Sequence, residues 1–348
     1  MSTAFDTRNL KGKRYFVTGA TGFCGRNFVK YLVEHGAEVT CLVRSKARAA
    51  SLQKLNVHWE YGELSDEALL EKCIADVDVV FHLAGQVIAF HDEDMLAVNR
   101  DLTEKIVRVC ANREKPPVLV YVSSLAAMGP TPAQRPHVES DPLNPFSGYG
   151  KSKAEAEKML RTYADRVPIT VIRPPSLFGP HDVEVRKWFT ALRRTRLFFA
   201  PTRKPLRLSF LHVKDLIQLL LLASENGERL PATPEAYHLD PGYGVYLGSQ
   251  TEHPSYPELG QMLGRALGMK HVWTVAFPLV YVVLIGIFQL YVRWVLRHPM
   301  QPDLAKIREG SAGHWTCSAE KARRQLGFKN DGTLEEQFRE TAEWISRN

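Results

Sequence analysis

The sequence predicts an α/β protein, a doubly wound parallel sheet with a smaller, interleaved C-terminal substrate-binding cap. Three observations predict it. Short β-branched runs alternate with amphipathic segments through the first half. A glycine-rich turn follows the first of those runs. Beyond Pro174 the pattern loosens into Pro- and Arg-rich segments, returns as the apolar Phe210–Ala223, and is then broken by Pro231, Pro234, Pro241, Pro254 and Pro257. A chain of 348 residues, 45% hydrophobic and 24% charged, can bury a full core in one large or two joined domains, which excludes disorder.

The elements follow in order. Arg14–Thr18, Glu38–Val43, Val57–Tyr61, Val77–His82 and Val118–Ser123 read as strands with helical stretches between them. Such alternation builds right-handed crossovers and a parallel sheet. A sixth strand, Ile169–Arg173, follows a helix that begins near Tyr149. There is no internal repeat and no low-complexity tract.

The segment T-G-A-T-G-F-C-G leaves the first strand and enters a helix with Gly19, Gly22 and Gly25 at its bends, and with Thr21 and Phe23 between them. A tight turn, close approach of backbone to a pyrophosphate, and close helix packing each require a residue without a side chain, while the helix N-terminus supplies a positive field. An ordinary glycine-rich turn before a helix is the bland alternative. Its place at the start of a βαβ run favours a dinucleotide and a Rossmann-type sheet. Residues 10–173 are therefore expected to form the NAD(P)-binding domain, with 208–223 returning to it, and 174–207 with 224–348 to form the cap.

At the end of the second strand no carboxylate is present to grip a ribose 2′-hydroxyl, and Arg44 stands there with Lys46 and Arg48 behind it. A guanidinium in that place suits a 2′-phosphate, so NADP is preferred and NAD is the second choice. A solvated loop arginine is the alternative. Glu63 and Leu64 follow the third strand, near an adenine, and Leu83, Ala84 and Gly85 end the fourth; their small or apolar character would let nucleotide pack against the strand ends.

The chemistry is expected at Ser124, ending the fifth strand, and at Tyr149 and Lys153, opening a helix. Residues i and i+4 share a helix face, and an ammonium there can lower a phenol pKa toward working pH. Such a phenol can protonate or deprotonate a carbinol oxygen while hydride passes to or from a nicotinamide. Ser124 would hold that oxygen, and Asn99 could position a water that relays the proton. Tyr-x-x-x-Lys alone also occurs as ordinary helix surface; the upstream glycine turn favours the catalytic reading.

The ordered set T-G-A-T-G-F-C-G, H-L-A-G, V-N-R-D-L-T, V-S-S-L-A-A-M-G, Y-G-K-S-K, R-P-P-S-L-F-G-P, F-L-H-V-K-D-L and W-T-C-S-A-E-K-A-R-R-Q-L-G-F spans nearly the whole chain. It resembles the extended short-chain dehydrogenase/reductase family, closest to the 3β-hydroxysteroid dehydrogenase and dihydroflavonol reductase-like branch of the epimerase/dehydratase superfamily. The resemblance implies Ser124, Tyr149 and Lys153 as the catalytic triad, Asn99 as a supporting residue, Pro174 and Ser176 beside the cofactor, and a homodimer packed through two helices per subunit. Nucleotide-sugar enzymes of that family typically place an Asn where this chain has Ser176 and an Arg where it has Leu208, with Arg207 off by one. A diphosphate clamp of the usual kind is therefore not expected. The implied activity is an NAD(P)-dependent oxidoreductase acting on a secondary alcohol or ketone of an apolar, sterol-, isoprenoid- or lipid-like substrate. A nucleotide-sugar epimerase or dehydratase with tightly held cofactor, and a non-catalytic NADP-binding regulator, are the alternatives.

Charge and hydropathy bear on partners. Between Glu184 and Arg207 eight basic residues face one acidic residue, which accounts for the whole net charge of +7. A solvated face, an anionic ligand or an anionic lipid surface would each explain it; no nucleic-acid motif accompanies it. The run Val275–Val292 has Gln289 as its only strongly polar side chain, with Trp273, Trp294, Arg293 and Arg297 at its flanks. It reads as a lid helix, a monotopic anchor or a membrane span. The five cysteines are scattered without metal-ligand spacing, so no metal site is expected, and no apolar leader precedes the first strand. The expected location is the cytoplasm, with attachment to the cytoplasmic face of a membrane as an extension of that reading.

Overall fold

The computed structural model describes residues 6–89, 91–131, 135–276 and 304–347. In chain order the strands of the central sheet are β1 (Arg14–Thr18), β2 (Glu38–Val43), β3 (His58–Tyr61), β4 (Val79–His82), β5 (Val118–Val122) and β6 (Ile169–Arg173). Three of the six expected strands match residue for residue; the other three each lose one or two residues at one end. The sheet runs β10-β6-β5-β4-β1-β2-β3, all parallel. Its seventh strand, β10 (Val245–Leu247), comes from within the stretch expected to be cap.

The sheet is parallel because its strands are apolar on both faces: Phe16, Val17, Val80, Phe81, Leu119, Val120 and Val171 are all fully buried. Helices cover both sides. On one face α1 (Phe23–Glu34) and α8 (Val213–Asn226) pack a core of Phe28, Val29, Leu32, Leu219 and Leu220 against Val17, Phe81 and Val120. On the other, α3 (Glu67–Ile74), α5 (Leu102–Ala111) and α6 (Gly148–Arg161) bury Leu70, Ile106, Val107 and Leu160 against Phe16, Val80 and Leu119. The strand order reverses between β1 and β4, so the carboxyl ends of those two strands open the crevice where ligands bind in such sheets.

The cap is built on two small parallel pairs. One joins β7 (Ser176–Phe178) to β9 (Phe210–His212), the other β8 (Leu197–Ala200) to β11 (Trp273–Ala276). Around them α7 (Val183–Thr195), α10 (Tyr256–Ala266) and the C-terminal helix Leu334–Arg347 enclose a third core of Phe178, Phe189, Leu192, Phe198, Phe210, Leu259 and Phe338. α10 is held at its start by a reciprocal capping box between Ser255 and Glu258. Val275 and Ala276, the first residues of the long apolar run, end β11 and so are not helical, since Val275 pairs with Phe199 and Ala276 with Ala200. The rest of that run lies outside the described residues, among which no helix is long and apolar enough to cross a membrane.

Candidate active site

The glycine turn is shaped by contact with its surroundings. Gly19 has a φ of +74°, and a Cβ there would lie 2.7 Å from the Ala84 nitrogen at the end of β4. A Cβ on Gly25 would lie 2.1 Å from the Gly19 carbonyl oxygen. Both glycines are thus required by packing of the turn against β4 and of α1 against the turn. Gly22 is the N-cap of α1 and offers no side-chain bond to the first turn. The free N–H groups there make a cradle for an anion, the fit a pyrophosphate needs. Thr21 and Phe23 flank it, half-buried.

Arg44 is exposed at the end of β2, and Lys46 behind it lies 5.6 Å from the centre of the Tyr61 ring. Glu63 is exposed, while Leu64 packs against the core under α3. Leu83 and Ala84 are half-buried at the end of β4, and Gly85 is exposed. Pro174 is buried and its carbonyl accepts the Leu125 N–H at 2.9 Å, next to Ser124, whereas Ser176 is exposed at the start of β7. These residues ring the carboxyl ends of β1, β2, β3, β4 and β6.

Tyr149 and Lys153 lie in the first turns of α6, whose N-cap Ser147 accepts the Gly150 N–H at 3.2 Å. A Cβ on Gly150 would fall 2.3 Å from the Ala126 carbonyl oxygen, so the helix start presses on the loop after β5 and brings Tyr149 to Ser124. Burial pushes the Tyr149 phenol up to about 12, against the pull of a hydrogen bond with Ser124. Burial drives Lys153 the other way, to about 8. The expected lowering of the phenol by the ammonium is not seen in the protein by itself, where burial is the largest influence on Tyr149 and raises it. Lys153 Nζ donates to the Val122 carbonyl at 2.8 Å and stands 4.8 Å from the centre of the Tyr121 ring. A Cβ on Gly85 would meet both Lys153 Nζ and Asn99 Oδ1 at 3.2 Å, so a larger residue would crowd this corner.

Asn99 sits in a π-turn, Ala97–Asp101. Its Oδ1 accepts the Gln86 N–H at 2.7 Å, and its Nδ2 donates to the Gln86 carbonyl at 2.8 Å and to Ser152 Oγ at 2.9 Å. It thereby joins the loop after β4 to α6.

Two acids of this region, Glu157 and Glu309, carry no sequence signal beyond ordinary polarity, and Ser123 and Arg173 lie in the V-S-S and R-P-P motifs, which do not reveal their partners. Ser123 Oγ donates to Glu157 at 2.5 Å, and Glu157 holds Arg173 at 2.7 and 3.0 Å, all buried, locking α6 to β5 and β6. Glu309, from the cap helix Leu304–Ala312, accepts the Ser147 hydroxyl at 3.2 Å, and its charge adds to the upward push on Tyr149. Their separation in sequence hides them; only the fold brings them together.

A model of the NAD dependent epimerase/dehydratase family matches residues 15–239. The chain belongs to this family. The family ketoreductase of Stigmatella aurantiaca named for 4-hydroxy-2-methyl-3-oxo-4-farnesyl-3,4-dihydroquinoline-1-oxide is 31% identical over 68% of this chain and 70% of its own. A decarboxylating sterol-4-alpha-carboxylate 3-dehydrogenase of Dictyostelium discoideum is 25% identical over 91% of this chain and 96% of its own. Among solved structures, the dTDP-glucose 4,6-dehydratase of Bacillus anthracis in complex with NAD shares the fold, with a TM-score of 0.75 at 20% identity over 97% of both chains.

The cap supplies an apolar interior and an open cavity. Leu208 is buried in the cap core with Phe178, Phe210 and Tyr256. Arg207 is exposed, 3.6 Å from Glu258, and donates to the His253 carbonyl at 2.9 Å. A cavity of about 550 Å³ opens beside it, lined by His253, Glu258, Gln261, Met262 and Arg265 as well as Arg207, and contains none of the catalytic candidates. Each of its two guanidiniums stands beside a carboxylate, Arg207 at 3.6 Å from Glu258 and Arg265 at 2.8 Å from Glu335.

Proposed function

We propose that this oxidoreductase is an NADP(H)-dependent dehydrogenase or ketone reductase for an apolar, sterol- or isoprenoid-like substrate. One observation carries the reading: a Ser124–Tyr149–Lys153 site stands beneath a cap whose residue 208 is a leucine sunk in an apolar core. The names of the quinoline ketoreductase and the sterol dehydrogenase support the same substrate class.

The residues fit a dinucleotide. The turn at Gly19, Gly22 and Gly25 would take the pyrophosphate, Arg44 the 2′-phosphate, Glu63 and Leu64 the adenine side, and Leu83, Ala84, Gly85, Pro174 and Ser176 the rest of the nucleotide. When bound, the nicotinamide supplies hydride exchange with the substrate carbon. In the reducing direction Tyr149, held protonated by burial, gives its proton to the carbonyl oxygen, and Ser124 donates a hydrogen bond to that oxygen. Lys153 would hold the nicotinamide ribose and support the phenolate that remains, and Asn99 would order a water that returns the proton. In the oxidising direction the same steps run backwards.

The test is absorbance at 340 nm with NADPH and a panel of steroid and isoprenoid ketones, beside UDP-sugars. Oxidation of NADPH by an apolar ketone is the expected result. Conversion of a UDP-sugar with no net change in absorbance would replace the reading by an epimerase.

The cap also supports contact with an anionic membrane. Arg193, Arg194, Arg196, Arg203 and Lys204 are exposed, and Trp273 on β11 is 66% exposed. Basic residues near an anionic leaflet contribute about 1 kcal/mol each, and a second, apolar signal is needed for stable attachment. Retention of the whole protein on anionic vesicles, weakened by salt, is expected; full recovery in the supernatant at low salt would end this reading. The homodimer implied by the family belongs to the same proposal.

A further inference from the structure

A buried chain of hydrogen bonds runs behind the site. Thr18 Oγ1 lies 2.6 Å from His82 Nδ1, and His82 Nε2 lies 2.8 Å from Thr103 Oγ1. Thr103 donates to the Asn99 carbonyl at 2.7 Å, and the Ala84 N–H donates to Thr18 Oγ1 at 3.2 Å. On the far side Asn99 Nδ2 donates to Ser152 Oγ, whose hydroxyl donates to the Tyr149 carbonyl at 2.8 Å. Thr18, His82, Asn99, Thr103 and Ser152 are all buried.

One set of directions satisfies all of these contacts at once. A carbonyl only accepts, so in that set the single hydroxyl proton of Thr103 goes to Asn99. The Thr103 oxygen must then accept, and His82 must carry its proton on Nε2. Nδ1 is left as an acceptor for the Thr18 hydroxyl, whose own oxygen takes the Ala84 N–H. Complete burial holds the His82 ring neutral, its pKa pushed down to about 3. The opposite tautomer would turn the Thr103 hydroxyl to Nε2 and the Thr18 hydroxyl away from Nδ1, giving up the bond to the Asn99 carbonyl and leaving the Thr18 proton without this partner in the core, which is costly. The chain is therefore fully bonded in one arrangement, and it connects the turn that receives the cofactor to the backbone of the catalytic tyrosine.

We propose that Thr103 and His82 are positioning residues, a tautomer-locked relay that aims the Asn99 carbonyl and, through Ser152, the head of the catalytic helix. The proposal rests on the catalytic reading of Tyr149. Its mechanical basis is the π-turn at Ala97–Asp101, where the Thr103 hydroxyl caps the Asn99 carbonyl and holds the helix in its widened form.

Two measurements test it. The first needs no substrate: with 15N-labelled histidine, one ring should remain an Nε2–H tautomer from pH 5 to 9 in the full chain, and Thr103→Val should abolish that preference while Thr103→Ser keeps it. A titrating ring, or an unchanged one in Thr103→Val, overturns the relay. The second uses the ketone found with NADPH above. Misplacement of about 1 Å can cost on the order of a hundredfold, so Thr103→Val should lower kcat by about ten- to a hundredfold while KM and the Kd for NADPH move less than about threefold, with recovery in Thr103→Ser. A fall in Tm with kcat unchanged would reduce the network to scaffold. Tyr149→Phe is run beside it; activity surviving in that variant breaks the catalytic reading instead, and leaves the histidine measurement to decide the relay.

Discussion

The two halves of the molecule differ in what lies at their functional centres. Beneath the cofactor turn, polar side chains are buried and bonded to one another, as in Ser123–Glu157–Arg173 and Thr18–His82–Thr103. In the cap, the third core is aromatic and aliphatic, from Phe178 and Phe189 to Phe338, with a smaller number of bonded polar groups such as Gln250 and Gln337 also buried. The first arrangement fixes positions to a fraction of an ångström and suits chemistry common to a family. The second sets volume and hydrophobicity and suits selection among substrates. On the proposed reading, reaction type is set in the sheet half and substrate class in the cap.

The largest effect expected from breaking this division is at Tyr149. Tyr149→Phe deletes the proton donor and keeps the ring, so turnover should fall by about two to four orders of magnitude while NADPH affinity stays within a few-fold. Steady-state rates and a fluorescence titration check both halves of the statement. Glu157→Gln comes next. It keeps the shape and leaves the Arg173 guanidinium buried without a counter-charge, which should cost about 3–5 kcal/mol of stability by denaturant unfolding. A loss under about 1 kcal/mol would mean that water reaches the pair.

Much of the sheet half was legible in the sequence because its signals are local. The glycine turn is contiguous, the strands are uninterrupted apolar runs, and Tyr149 and Lys153 are one helical turn apart. Strand ends moved by a residue or two because pairing, not propensity, decides them: Val77 looks like strand, yet pairing of β4 with β1 starts at Val79. β10 was missed because Val245–Leu247 is only three residues long and follows a proline-broken stretch. The Glu157–Arg173 pair and Glu309 were not legible, since nothing local marks an acid whose partner is distant in the chain. Burial also defeated the pKa argument for Tyr149: spacing gives the neighbour, and only the fold gives the solvent.

Arg44 tests the cofactor side with a smaller effect. Loss of a charge-assisted contact to a 2′-phosphate in Arg44→Ala should cost on the order of 1.5–3 kcal/mol, about a ten- to hundredfold rise in the Kd for NADPH. NAD binding should hardly change. Equal effects on both cofactors would assign Arg44 to solvent.

The smallest effect is the pH dependence set by Lys153, and its sign follows from burial. Desolvation lowers the amine from its usual 10.5 to about 8, so near pH 8 the folded chain gives up a proton that the unfolded chain keeps. Burying the ammonium is a penalty present in full below pH 8 and relieved between about 8 and 10.5, where this group's contribution to stability rises with pH. Binding runs the other way. A hydrogen bond to the nicotinamide ribose favours the ammonium, so the complex holds its proton at pH values where the free protein has lost it. Cofactor binding then takes up a proton above pH 8, and the Kd for NADPH should rise by about tenfold between pH 7 and 9. Lys153→Met should bind more weakly and show a flat profile across that range. A flat profile in the unaltered protein would place the ammonium out of reach of the ribose and leave its bond to the Val122 carbonyl as its main role.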